Sequence, residues 1–170
     1  MPLHQYAYFA LASRHTSAAE MAAFLGIEPD ETMVRASRLL TQPRAIPASH
    51  AWKVVCRDPG LRVDEQVARV IARLAPHTER IAALVERLKA EEDGEYGSAV
   101  LEIVRYFNDD EEGPTSDDGV PAWRTSTTEK PNMFGWHLDR HVLNFLTATG
   151  AVLDVDEYDM SPGNDPRDWA

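Results

Sequence analysis

Apolar and polar positions along this chain fall into short runs that predict two strand–helix–strand units around one long helix. Residues 5–12, QYAYFALA, are apolar and aromatic and short enough for a strand. Their alternation is imperfect, which predicts a central strand covered on both faces or nearly so. Ser17 with Glu20 three residues on is a capping-box signature. It opens a short helix, Ser17–Leu25, with Met21, Phe24 and Leu25 as its apolar face. Gly26 stops that helix as a left-handed cap, with Ile27 placed for the accompanying hydrophobic contact. Thr32–Ser37 reads as a weak strand, 38–50 with Pro43 and Pro47 as a loop, and Ala51–Cys56 as a better strand.

Residues 64–90 carry Val67, Val70, Ile71, Leu74, Ile81, Leu84, Val85 and Leu88 at helical spacing. The stripe keeps phase across Pro76, so a kink or break is expected near Ala75. Ser98–Phe107 is the longest strand candidate, and Phe134–Leu138 a short one. Asp139 caps a last helix, with Val142, Leu143, Phe145 and Leu146 as its buried face and Leu138 and Leu143 as a hydrophobic staple. Gly150 ends it, and Ala151–Tyr158 is the last strand.

The expected fold is α+β: a two-layer sandwich of a mostly antiparallel sheet with helices on one face. It holds two ferredoxin-like strand–helix–strand units around a long kinked helix. Residues 1–159 are read as one domain with an acidic insertion loop, 108–132, expected to be mostly disordered. Residues 160–170 are read as a flexible acidic tail.

Charge changes the picture more than bulk composition does. The chain has 170 residues, 44% of them hydrophobic, and a net charge of −11. Segment 108–132 holds seven acids and two basic residues, and 154–170 holds six and one. Each therefore carries −5, leaving −1 for the rest. Residues 33–62 run the other way, with Arg35, Arg38, Arg44, Lys53, Arg57 and Arg62 against Asp58. This balance argues against nucleic acid, whose phosphates need concentrated positive charge. It favours a basic protein partner, which an acidic surface attracts. No apolar run approaches the roughly 20 residues of a membrane span. The first residues have no basic stretch followed by an apolar one, so no signal peptide is expected and the cytoplasm is the default location.

Candidate chemistry is sparse. The one cysteine, Cys56, ends an apolar strand and reads as a small buried hydrophobe rather than a nucleophile. His137 and His141 are four apart, but His137 precedes the helix cap and no third ligand is evident, so no metal site is expected. The acid run Asp109–Glu112 lacks the calcium-loop spacing, and no phosphate-binding glycine motif occurs, so no cofactor is expected. Serine and histidine neighbours lack a nucleophile elbow. The tryptophans say more. Trp52 reads as core, Trp136 as the edge of a cleft, and Trp123 and Trp169 stand in polar segments where tryptophan serves as an interface anchor.

Three blocks together resemble a known family: FLGIEPDE (Phe24–Glu31), the strand Ala51–Cys56 with its tryptophan, and LDRHVLNFLTATGAVLDVDEYD (Leu138–Asp159). With the proline-interrupted helix between them, they are similar to the bacterial domain of unknown function 4279, over roughly residues 6–159. That resemblance implies a fold and no catalytic residue. Small acidic α+β proteins of this sort include toxin-immunity proteins, which act by binding a toxin tightly.

Three readings follow. The first is a non-enzymatic binding protein, of immunity type, for a basic protein partner. The second is a small enzyme or binder of a small anionic ligand, held where arginines meet aromatics near Arg35, Arg38, Trp52, Tyr106, Trp136 and His137. Trp123 joins these as a partner-binding candidate. The third is a homo-oligomer formed through paired sheet edges.

Overall fold

The computed structural model of the chain describes residues 3–35, 48–91, 99–107 and 135–160. In chain order the elements are β1 (Leu3–Ser13), α1 (Ala18–Leu25), β2 (Glu31–Met33), β3 (His50–Cys56), α2 (Val63–Leu74), a 3-10 turn (Ala75–His77), α3 (Thr78–Glu91), β4 (Ala99–Phe107), α4 (Arg140–Thr149) and β5 (Val152–Asp159). The strands make one five-stranded mixed sheet in the order β2-β3-β1-β4-β5. Pairing is antiparallel between β1 and β3, β1 and β4, and β2 and β3, and parallel between β4 and β5. The chain is thus an α+β structure.

The central strand β1 divides its side chains between two environments. Ala7, Phe9 and Leu11 point to one face and Tyr6, Tyr8 and Ala10 to the other, because successive strand residues alternate. The first set joins Trp52 and Val54 of β3 and Leu101 and Ile103 of β4 in the main core. All four α-helices contribute buried apolar residues to that core. The second set packs only with neighbouring strand residues, among them Val104, Val55, Tyr106 and Tyr158. Among the described residues no helix covers this second face. Tyr8, Ala10 and Val104 are nonetheless buried, and among the described residues it is the sheet's own side chains that pack against them.

Polar groups fix how the helices sit. Trp52 is fully buried, and its indole N–H donates to the Ile27 carbonyl at 3.2 Å, so burial leaves no orphan donor. Ile27 thereby ties the exit of α1 to β3. Gln66 of α2 is also fully buried; its amide donates to the carbonyls of Gln5 (3.1 Å) and Asp58 (2.9 Å). Gln5 in turn donates to the Leu61 carbonyl. These bonds lock the start of α2 to the first turn of β1. Phe9 meets Phe145 of α4 edge-on, with ring centres 5.6 Å apart, which anchors α4 on the same face.

The helical segment expected to kink or break near Ala75 is broken there into two helices, α2 and α3. Val67, Val70, Ile71 and Leu74 of α2, and Ile81, Leu84, Val85 and Leu88 of α3, are all buried. Between them Pro76 lies in the 3-10 turn, where a missing N–H is cheap, and the Thr78 hydroxyl donates to the Ala75 carbonyl at 2.8 Å.

The helix ends follow their sequence signals. Ser17 and Glu20 form the reciprocal capping box, and Gly26 sits at φ +70°. Asp139 accepts from the Val142 N–H at 2.9 Å, and Gly150 sits at φ +66°.

Several expectations need correction. Phe24 and Leu143, placed on buried faces, are 43% and 48% exposed. Each lies at the shoulder of its apolar stripe on a helix too short for a wide buried face. The weak strand Thr32–Ser37 shrinks to Glu31–Met33, with Ala36 and Ser37 outside the described residues. Residues 135–139 carry no strand; they lead straight into the α4 cap. The loop 108–132 and the tail from 161 lie outside the described residues.

Three substitutions check this frame by urea denaturation. Trp52→Ala should cost about 3–5 kcal/mol, the range for emptying a large buried aromatic site. Gly150→Ala should cost about 1–2 kcal/mol, because an L side chain is strained at that φ. Leu143→Ala should stay within about 0.5 kcal/mol, as for most exposed positions.

Candidate functional site

The second sheet face carries a row of tyrosines. Strand registers place Tyr6 and Tyr8 on β1, Tyr106 on β4 and Tyr158 on β5 on this side. Tyr106 and Tyr158 are direct cross-strand partners and stack, with ring centres 5.1 Å apart and planes 16° from parallel. His4 bridges the row, 5.9 Å from the Tyr106 ring and 6.0 Å from the Tyr6 ring. Tyr6 stacks on Tyr8 at 6.2 Å. On the β3 side the Arg57 guanidinium lies 4.0 Å from the Tyr6 ring centre, and the Lys53 ammonium 4.0 Å from that of Tyr8.

Charge is graded across this face. Lys53 and Arg57 stand towards β3, with Glu31 of β2 bonding Arg57 at 2.8 Å. Glu102 of β4 and Asp154 and Asp156 of β5 stand on the other side. The Tyr8 hydroxyl donates to the Glu102 carboxylate, and the Tyr158 hydroxyl to that of Asp156 at 3.1 Å.

These surroundings favour the neutral form of Tyr8, Tyr106 and Tyr158. Burial pushes Tyr106 up to about 12, and nearby Tyr6 adds to the shift. Burial first, and then the bond to Glu102, push Tyr8 well above the usual tyrosine range. Tyr158 is raised by burial and by Asp156. Glu102 is raised too, chiefly by burial, while the Tyr8 hydroxyl and Lys53 pull the other way. At neutral pH Tyr8, Tyr106 and Tyr158 therefore offer flat apolar rings and O–H groups, which suits recognition.

The residues proposed from sequence scatter over the structure. Tyr106 lies in the tyrosine row. Trp52 faces the helices on the opposite side of the sheet and is fully buried, so it cannot touch a ligand. Arg35 sits at the Ser13–His50 end of the sheet, donating from its side chain to the Arg14 carbonyl at 3.0 Å and from its backbone to His50 Nδ1 at 3.1 Å. Trp136 and His137 lie at the other end, beside the start of α2. There Arg62 donates to the Gly135 carbonyl at 3.2 Å, and His137 lies 3.4 Å from Asp64. Arg35, Trp52, Trp136 and His137 therefore do not line one cleft. Arg38 and Trp123 lie outside the described residues.

A separate open hollow of about 340 Å3 lies between α1 and β2, with Ser17, Ala18, Ala22, Glu28, Thr32 and His50 among its walls. It gathers none of the proposed arginines or tryptophans. Among the described residues no three His, Cys, Asp or Glu side chains come together as a metal would require. Nor is any helix there long and apolar enough to cross a membrane.

Tyr6, Tyr8, Tyr158, Lys53 and Arg57 were missed from sequence. The signal was present as period-two spacing, Tyr6 with Tyr8 in β1 and Asp154, Asp156 and Tyr158 in β5. Joining those spacings into one surface needed the strand order.

A family model described as "Domain of unknown function (DUF4279)" matches residues 3–160. The chain belongs to the DUF4279 family. The resemblance read from Phe24–Glu31 and Leu138–Asp159 is thus correct, and the match takes in every described strand. No curated protein and no solved structure matches this DUF4279 chain. The family description names no activity, so the surface must be read from its own chemistry.

Glu102 gives a test of that chemistry. Its folded-state pKa is raised, so the native state binds more protons than the unfolded state above the ordinary carboxylate range. Its contribution to stability is therefore greatest below that range and is lost as pH rises through the folded value. Glu102→Gln keeps an acceptor for the Tyr8 hydroxyl and removes the charge. The variant should melt higher than the parent at pH 7–8, and the gap should close as pH falls towards 4. An equal or lower melting temperature at pH 8 would show that the ionised carboxylate is well accommodated.

Proposed function

We propose that this chain is a non-enzymatic binding module that holds a basic protein partner on the open tyrosine face of its sheet. The observation that carries the reading is the cross-strand row Tyr8–Tyr6–Tyr106–Tyr158 with Glu102, Asp154 and Asp156 beside it. Tyrosines are the side chains most enriched, with tryptophan and arginine, at the energetic centres of interfaces. Neutral phenol rings accept lysine and arginine side chains over their faces, as Arg57 and Lys53 already demonstrate within the chain. The adjacent acids and the net charge of −11 favour encounter with a basic surface and disfavour phosphate-rich ligands.

Inhibition of a basic toxin, as an immunity protein does, is the specific form of this reading. It requires only a surface that covers the toxin. In the same reading β1-α1-β2-β3-α2/α3-β4 is a ferredoxin-like unit, supported by the order β2-β3-β1-β4, and α4–β5 extends it.

Titration of the isotope-labelled full chain with cytochrome c, a folded basic protein, tests the surface by NMR. Shifts should centre on Tyr6, Tyr106, Asp156 and Tyr158. Tyr106→Ala with Tyr158→Ala should weaken binding at least tenfold while the circular dichroism spectrum stays that of the parent. Shifts spread evenly over the acidic residues, or unaffected by the double substitution, would contradict the reading.

A further inference from the structure

The edge of the sheet beside the tyrosine row is built to take another strand. β5 is the outermost strand on that side, and among the described residues no other strand pairs with its far edge. Its register against β4 runs without interruption from Val152 to Asp159. The Met160 N–H donates to the Phe107 carbonyl at 2.8 Å, so the even-numbered amides of this strand aim at β4. Strand geometry alternates, so the amides of Leu153, Val155 and Glu157 aim away from the sheet. One is already engaged: the Val155 N–H donates to the carboxylate of its neighbour Asp154 at 2.9 Å. Such a local bond blunts an edge against casual pairing.

The chemistry of the strand selects what can displace that bond. VLDVDEYD carries four carboxylates and no basic residue. Val152 and Leu153, at its start, are 53% and 39% exposed and offer an apolar foothold. Glu157 is paired with Arg105 of β4 at 2.7 Å, but a second copy of β5 would still bring Asp154 and Asp156 against the same acids, so self-pairing is opposed by charge. The chain's own segments 108–132 and 161–170 are net acidic and are opposed in the same way. A basic strand is attracted instead. Its lysine or arginine would draw Asp154 off the Val155 amide and so expose the donor that the incoming backbone needs.

We infer that β5 accepts an extended, basic segment of the protein partner as a sixth strand, with Asp154 acting as a latch that opens to a cation. This rests on the reading that the partner is a basic protein, and adds the shape of the segment and where it binds. The tyrosine row lies on the face next to this edge, so a partner paired to β5 would lay alternate side chains towards Tyr158 and Tyr106. Eight residues span about 26 Å of strand, matching the length of β5.

The test uses the labelled full chain and an end-blocked eight-residue peptide alternating arginine and valine. Controls alternate glutamate with valine, or replace each valine by proline to remove alternate N–H donors. Hydrogen exchange at the Leu153, Val155 and Glu157 amides should slow at least tenfold with the arginine–valine peptide and with neither control. Asp154→Lys should weaken binding at least tenfold. Leu153→Pro, which removes an outward amide and leaves the β4 ladder intact, should do the same. If Leu153→Pro does not fold, the exchange pattern of the parent chain and Asp154→Lys still decide.

Shifts confined to Tyr6, Tyr106 and Tyr158 with no amide protected would overturn strand addition and leave the tyrosine-face reading standing. No shift at the edge or the face would overturn both. Protection of the Leu153 and Glu157 amides in the chain alone would mean that the edge is held by the chain itself or by a second copy, and would overturn the proposal.

Discussion

The structure depends on one constraint, the two-sided alternation of β1. This strand lies in the middle of the sheet, and every second residue must enter the helical core. Ala7, Phe9 and Leu11 do so with no exposure. Their neighbours Tyr6, Tyr8 and Ala10 are thereby committed to the other face. A slip of one residue would drive two phenols into the core and bring two large apolar side chains out of it. Because β3 and β4 pair directly with β1, the same choice places Trp52 inwards and Tyr106 outwards. Core and candidate binding surface are thus two consequences of one register.

The two faces are held by different forces. On the helical face the driving term is burial of large apolar side chains, roughly 1.5–3 kcal/mol for each fully buried Val, Leu, Ile or Phe. Hydrogen bonds there serve position more than strength. Gln66 and Gln5 clamp α2 to β1, and Trp52 clamps the α1 exit to β3. On the tyrosine face, ring stacking and cations over rings hold side chains in order without closing them off. That face is ordered, aromatic and only partly buried, the combination that binding surfaces share. Its acids are partly engaged by its own hydroxyls and by Lys53, which limits repulsion among them.

How much was legible in the sequence follows from which signals are local. Helix ends are local, so Ser17, Glu20, Gly26, Asp139 and Gly150 announced themselves through side-chain chemistry and left-handed backbone. The stripe through Val67–Leu74 and Ile81–Leu88 was readable because helical period survives the 3-10 turn at Pro76. Leu143 and Phe24 misled because hydrophobicity alone does not say which shoulder of a short helix meets the sheet. The family was legible in Phe24–Glu31 and Leu138–Asp159, since those blocks encode caps and strand starts. The proposed cleft was not well founded. Arg35, Trp52 and Trp136 were grouped by residue type, and only strand order could show that they belong to different ends and faces. Tyr6, Tyr106 and Tyr158 lie far apart in sequence, and their alignment needs the pairing β1-β4-β5.

The central claim is that one face of the sheet is core and the other is presented for recognition. Hydroxyl-radical footprinting of the full-length chain, read by mass spectrometry, measures this most directly. The account predicts that Tyr6, Tyr106 and Tyr158 are oxidised several-fold faster than Phe9 and Trp52 after correction for intrinsic reactivity. Tyrosines protected as well as Phe9 and Trp52 in the isolated, folded chain would contradict it.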